Sequence, residues 1–437
     1  MKRINNSVIA LSLFIGIANA NAQEKKQLSL DEAVQLGIQN SKSLKIDAAK
    51  IEEATADLLA AKNRQLPDLS VSGSYLYLPI KPTIDLKIPG VASAGGPEVH
   101  QVAYGSANLS VPIYSGGRIK YGIQSAKYLV EASKLSTEND KVAIAYNVAQ
   151  AYNNLFKANQ SIKVLEENLS ASQKRDETFL KLENNGVIAR NDRLKANLQT
   201  SNIELQLLEA KNNYNIANIN MDLLLGLPDA TEIEVDQQYI DEADDVKPVD
   251  FYLNEARENR KDLQALDQQR KAAELGTRSA KAENLPSIAF TGGYVAADIP
   301  KFLTIYNAVN VGVGVSYNLS NLWKENSSLK QSKAREMQLS ATNELLNDNI
   351  KLDVNREFQN TDYSKKRIAV FEKAAVQANE NYRITKNKYD NGLATMTELL
   401  DADAAQISAN VGVINAKADA ALAYRKLLQT TGTLTIK

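Results

Sequence analysis

The stretch Lys388-Tyr389-Asp390-Asn391-Gly392-Leu393-Ala394-Thr395-Met396-Thr397-Glu398-Leu399-Leu400-Asp401-Ala402 decides how the chain is built. Helical patterning runs far up to it and far beyond it. Asn391-Gly392 is a stop signal, because glycine readily takes the left-handed conformation that ends a helix. Thr395 then reads as a new N-cap, and Glu398 three residues later completes a capping box. The stretch is a tight reversal between two long helices.

The same layout occurs earlier, at Lys181-Leu182-Glu183-Asn184-Asn185-Gly186-Val187-Ile188-Ala189-Arg190-Asn191-Asp192-Arg193-Leu194-Lys195-Ala196. Asn-Gly aligns with Asn-Gly, Leu194 with Leu400, and Ala196 with Ala402. The offset, roughly 200 residues, is too long for a solenoid repeat. It reads as a duplicated half-chain, each half built around one helical hairpin tip.

Outward from the tips, helices of about 100 Å are expected over 118–185 and 322–390. Shorter return helices run over 192–225 and from the second tip to about Thr430, with Gly432 as the stop. Upstream, Ser29 and Glu32 box the start of a first helix, Asn40-Ser41 breaks it, and a second helix runs over 44–65. Leu66-Pro67 stops that helix, and in the second half Leu285-Pro286 stops its counterpart over 262–284, which follows a short helix over 251–259. After each Leu-Pro the period switches to strand alternation. Leu69, Val71, Gly73, Tyr75 and Tyr77 alternate with serines, and a Pro/Gly-rich loop, 79–97, leads to a second strand over 103–113. The cleanest strand sets Val311, Val313, Val315 and Tyr317 against Gly312, Gly314 and Ser316. An acidic, irregular segment, 229–250, reads as a surface linker between the halves.

Composition narrows the function. There is no cysteine, so neither a disulfide nor a thiolate metal site. The one histidine, His100, lies in a loop and has no metal or catalytic company. The net charge of −1 argues against a nucleic-acid partner. Adjacent acids such as Glu166-Glu167 and Asp244-Asp245 fall on polar faces or the linker, no nucleophile–base set or phosphate loop is present, and no catalytic residue, metal or cofactor is expected. Residues 1–22 read as a signal peptide: Met1-Lys2-Arg3, an apolar core over 8–17, and Ala20-Asn21-Ala22, with cleavage before Gln23. No later apolar run approaches the roughly 20 residues of a spanning helix, so a membrane location requires a barrel.

Each strand has one apolar and one small-polar face, and aromatic residues (Tyr75, Tyr77, Tyr114, Tyr294, Tyr317, Trp323) sit at strand ends as a girdle would. A small soluble β-sandwich is the competing reading, but nothing else in the chain offers apolar surface to cover it. Four strands cannot close a membrane barrel, whose smallest bacterial form has about 8, so several chains must share one. The long helices have narrow, alanine-rich apolar stripes and must pack on copies of themselves, either as a closed coiled-coil rod or as a hollow barrel with a polar lining.

With these features in order, the chain resembles the TolC-like outer-membrane efflux protein family over essentially its whole length after the leader. The resemblance is carried by Leu30-Asp31-Glu32-Ala33, the two Leu-Pro junctions, Val111-Pro112-Ile113-Tyr114-Ser115-Gly116-Gly117-Arg118, the glycine-centred tips, Leu224-Leu225-Gly226-Leu227-Pro228 and Leu399-Leu400-Asp401-Ala402. It implies a mainly α fold with a small β part: a homotrimer in the outer membrane, with helical hairpins forming a periplasmic α-barrel and four strands per subunit sharing a 12-stranded β-barrel in lipid. The repeats are then 23–225 and 251–437, joined by 226–250. The implied function is the exit duct of a tripartite efflux or type I secretion system, linked through a periplasmic adaptor to an inner-membrane pump. The resemblance also implies constriction acids at Glu398, Asp401 and Asp192, tip closure through Tyr389, and docking at Gly186, Val187, Gly392 and Leu393, while the strand alternation puts Val311, Val313, Val315 and Tyr317 toward lipid. The arginine that completes the latch in such proteins is Ala394 here. A periplasmic or surface coiled-coil scaffold or adhesin is the alternative.

Overall fold

The computed structural model describes residues 25–80, 82, 99–228, 231–240, 246–300 and 302–435. The expected signal peptide and its cleavage site, most of the Pro/Gly-rich loop and parts of the acidic segment lie outside the described residues. The chain runs β1 (Lys25–Leu28), α1 (Leu30–Asn40), α2 (Lys42–Asn63), β2 (Asp68–Tyr77), β3 (Gln101–Tyr114), α3 (Arg118–Asn184) and α4 (Arg190–Leu225). It continues with β4 (Glu232–Val235), α5 (Val249–Asn259), α6 (Lys261–Ala282), β5 (Ser287–Ile299), β6 (Leu303–Ser316), α7 (Ser327–Asp390) and α8 (Met396–Thr431).

Local chemistry sets these boundaries. Ser29 and Glu32 form the expected capping box at α1. Each long helix ends on a left-handed glycine: Gly186 at φ 71° and Gly392 at φ 72°. The next residue's amide reaches back over the turn, Val187 N to Leu182 O and Leu393 N to Lys388 O, both at 2.8 Å. These bonds satisfy carbonyls that the helix end would otherwise leave without partners. The 67-residue α3 and 64-residue α7 are each about 100 Å long. The second long helix starts later than the sequence suggests. Asn326 is its N-cap, accepting from Leu329 N, and the preceding residues form a separate 3-10 turn at Leu319–Leu322.

Along α3 pack α2 and α6 above, α4 and α8 below, and the short α1; α7 packs on α6 above and on α8 below. The lateral order is therefore α2-α3-α6-α7 in the upper half and α4-α3-α8-α7 in the lower. The sheet has the same order, β2-β3-β5-β6, antiparallel throughout. Both β2 and β6 are edges without a second partner among the described residues.

Register sorts the sheet's side chains. Val313 stands opposite Phe290, Phe290 opposite Val111, Leu109 opposite Leu69, and Val309 opposite Tyr294. One face is therefore continuously apolar across four strands. The other carries Ser72, Ser106, Asn108, Thr291, Gly312 and Ser316, with Ser72 and Ser106 hydrogen-bonded at 2.9 Å. The apolar face is bare: Val71, Val311 and Val315 are each about 70% exposed or more. Among the described residues no helix is long and apolar enough to cross a membrane.

The main core lies midway along the helices, and here the acidic segment departs from expectation. It is not merely a surface linker, because its strand β4 pairs in parallel with β1, Leu28 against Val235. Ile233, Val235 and Tyr239 are buried with Tyr152, Phe156, Met221 and Leu225. The Tyr152 hydroxyl donates to Leu28 O at 2.9 Å and accepts from Asp236 N at 2.6 Å, clasping both strands to α3. Burial pushes this phenol up to about 12.

Candidate functional site at the hairpin tips

The tips of α3–α4 and α7–α8 lie side by side. Phe179, Ala196, Met396 and Leu399 form a small buried cluster between them, flanked by Leu182, Ile188, Tyr382, Tyr389 and Leu400. Every one of these residues stands within about five turns of a tip glycine, so the glycine turns position the whole cluster. Beyond the cluster, Gly186, Val187, Gly392 and Leu393 are exposed. Nothing lies within 4 Å of a Cβ built on either glycine, so their left-handed φ rather than crowding is what a side chain would disturb.

Tyr389 is half-buried, with its ring edge-on to Phe179 at 5.8 Å between centroids. Burial raises its phenol, and Asp192 and Asp390 add to the shift. The expected tyrosine and first-tip acid are thus near one another. Asp192 is not a free carboxylate: Lys195 Nζ stands 3.5 Å from it and an equal 3.5 Å from Thr397 Oγ1 of the second hairpin. Lys195, which aligns with Asp401, therefore serves the first-tip acid.

Glu398 closes its capping box: Thr395 N donates to Oε2 at 2.7 Å, and Glu398 N donates to Thr395 Oγ1 at 3.3 Å. The backbone bond chiefly, then the threonine hydroxyl, hold its carboxyl below the usual range. Its charge is fixed by local structure and remains exposed to solvent. Asp401, one turn on, is exposed and has no ion-pair partner among the described residues. The two carboxylates are three residues apart and share a helix flank.

A different pair ties the hairpins together. Arg175 of α3 meets Asp403 of α8 at 2.8 Å, and its other terminal nitrogen reaches the Tyr382 hydroxyl of α7 at 3.4 Å. The pair is largely screened from water, its side chains 13% and 5% exposed. Arg175 thus spans three helices from a position about 16 Å along α3 from Gly186. Sequence reasoning missed it, since Arg175 and Asp403 are 228 residues apart and neither belongs to the tip stretch. Higher up, the hairpins part around a groove of about 710 Å³ with a mixed lining, Asn154, Gln206 and Asn415 beside Leu165, Phe371 and Ile407. Asp419 binds Lys157 at 2.8 Å and Arg367 at 3.2 Å nearby, a second tie between the hairpins.

In β6, Val311, Val313 and Val315 lie on the sheet's apolar face, and Tyr317 follows the strand end. Among the described residues no His/Cys/Asp/Glu group could hold a metal ion. What the whole arrangement can do is mechanical and electrostatic: it offers two packed tips with exposed acids at Glu398 and Asp401, ion pairs that tie the hairpins, and a sheet with one bare apolar face.

The family model described as outer membrane efflux protein matches residues 33–227 and 252–433. No curated protein is matched by sequence. Among solved structures, the fold is similar to that of the outer membrane protein VceC of Vibrio cholerae, at 18% identity, covering 92% of this chain and 96% of that one, TM-score 0.76. It is also similar to the CmeC outer membrane channel of Campylobacter jejuni (17% identity, 93% and 86% covered, TM-score 0.74). A third likeness is to the MtrE outer membrane channel of Neisseria gonorrhoeae in its open state (18% identity, 93% and 89% covered, TM-score 0.73).

Proposed function

The chain belongs to the outer membrane efflux protein family, and from that premise we propose how its parts serve export. It is an outer-membrane efflux channel of the TolC type and not an enzyme, and the family implies a trimer. Three copies would close the sheet, β6 of one against β2 of the next. The observation that carries this reading is the four-stranded sheet with a continuous apolar face and two unpaired edges. Open edges are not tolerated in lipid, and the sheet can be completed only by other chains. The helices support the same closure. The lateral edge next to β2 is formed by α2 and α4, and α4 exposes Leu198, Leu205, Leu208, Ile219 and Leu223. The opposite edge is α7, which exposes Leu345, Leu352, Val370 and Val376.

In this reading the long helices enclose a water-filled duct, and substrate passes without chemistry. The tips meet a periplasmic adaptor, through which an inner-membrane pump drives export, with Gly186, Val187, Gly392 and Leu393 at the contact. Glu398 and Asp401 line the mouth as stacked rings of carboxylates, which favour cations in a constriction. With Ala394 in place of an arginine, the resting tip is held by Arg175, Asp403 and Tyr382 inside each subunit, alongside Tyr389 on Phe179. The coiled-coil scaffold has no comparable account of the apolar sheet face.

The test is purification from outer membranes and incorporation into planar bilayers. A heat-resistant trimer that conducts ions supports the channel; a monomer or rod without conductance removes it.

A further inference from the structure

We propose that the junction of β3 and α3 is a binding groove for the headgroup of an anionic glycerophospholipid in the periplasmic leaflet of the outer membrane. The groove, about 490 Å³, is lined by Pro112, Ile113, Tyr114, Ile119, Ile123, Lys120 and Lys127, with Gln65 and Gln124 at its sides. Its upper wall continues the apolar sheet face. Tyr114 stands opposite Ile288, and Ile288 opposite Val315, so the tyrosine closes that face at its helical end. A bulge between Pro112 and Tyr114 turns Ile113 outward, leaving it 62% exposed and Tyr114 46% exposed. An isoleucine and a tyrosine so exposed at the end of an apolar band suit the boundary between acyl chains and headgroups.

The lower wall is cationic. Lys120 and Lys127 are seven residues apart on one face of α3, and both are exposed. Neither has a carboxylate partner among the described residues. Their neighbours further along the same helix are different: Lys134 pairs with Glu131 and Lys141 with Glu138, each three residues apart. Lys120 and Lys127 differ from these next two lysines along α3 in having no ion pair with a local acid among the described residues. Lys62 and Arg64, also without an ion-pair partner among the described residues, end α2 on the Gln65 side of the groove. Trp323 and Lys324, both exposed, repeat the aromatic–cation pairing beyond β6. Two lysines below an amphipathic aromatic fit a phosphodiester whose acyl chains lie along the sheet, by charge and by continuity with the lipid-facing surface. Each lysine near an anionic membrane surface contributes about a fivefold preference.

This inference rests on the sheet lying in the membrane, which outer-membrane fractionation scores separately. The test is native mass spectrometry of the detergent-purified full-length trimer with phosphatidylglycerol and phosphatidylcholine of matched acyl chains. Wild type should retain phosphatidylglycerol preferentially. Lys120→Gln with Lys127→Gln should lose roughly 25-fold of that preference while remaining a trimer. Lys120→Arg with Lys127→Arg should keep it, as should the control Lys134→Gln with Lys141→Gln. Equal retention of both lipids by wild type, an unchanged preference in the glutamine double variant, or an equal loss in the control would each overturn the groove. A trimer that inserts and conducts but shows no lipid preference removes this proposal and leaves the channel intact.

Discussion

Single side chains decide how firmly the tip is held. Removing one partner of a screened ion pair strands the other charge, which costs about 3–5 kcal/mol when fully buried and less where water reaches. Arg175→Ala should therefore loosen the tip through the isolated Asp403 carboxylate, raising single-channel conductance. Arg175→Ala with Asp403→Asn should recover stability but not closure. If conductance is unchanged in both, the bridge is no restraint on the mouth. Valine at Gly186 or Gly392 meets open space, so its effect should be confined to the cost of a left-handed residue, about 1–2 kcal/mol. The trimer should persist while adaptor-dependent export falls; normal export from both variants would move the contact elsewhere. A further residue-scale effect concerns pH. Burial, then the neighbouring Asp47 carboxylate, raise the Asp140 carboxyl. An acid raised in the folded state binds its proton more tightly there than when unfolded. Its contribution to stability is therefore lost as pH rises from the ordinary carboxylate value through the raised one. Asp140→Asn should increase the midpoint of thermal unfolding at pH 7 and make no difference near pH 3.

Among the elements, β6 offers the sharpest test. Cysteines at Val311, Val313 and Val315 should resist a membrane-impermeant thiol reagent, and those at Gly312, Gly314 and Ser316 should react; uniform labelling would contradict the facing of the strand. Val313→Arg should cost about 2–4 kcal/mol near the midplane. Elements of this kind were legible in the sequence because their signals are local. Alternation gave the strand faces, Leu-Pro the ends of α2 and α6, and Asn-Gly followed by Thr-x-x-Glu the second tip. What stayed hidden depends on distant partners. The four residues of β1 are too few for a periodic signal, and β4 is masked by the acidity of its surroundings; only their pairing makes either a strand. Arg175 looks like any solvated helix cation until Asp403 is brought to it.

For the whole molecule, the question is whether Glu398 and Asp401 act on the permeating ion. The Thr395 box accounts for the placement of Glu398 but does not discharge it, and Asp401 lies beyond the box with no ion-pair partner among the described residues. Wild-type channels in bilayers should prefer cations and be blocked by multivalent cations from the tip side. Glu398→Ala with Asp401→Ala should lose both properties. A double variant that conducts and blocks like wild type would reduce these acids to caps and solvated surface.

The clasp between β1 and β4 also bears on how the chain is made. Strand β1 is synthesised first, yet its ladder partner is residues 232–235, past the midpoint of the chain. Tyr152 cannot bridge Leu28 and Asp236 until that later segment has emerged. The beginning of the polypeptide must therefore wait, unpaired, while roughly 200 further residues are made. Assembly of the middle of the duct is late and non-local, so the clasp should be among the last contacts to form as the chain folds.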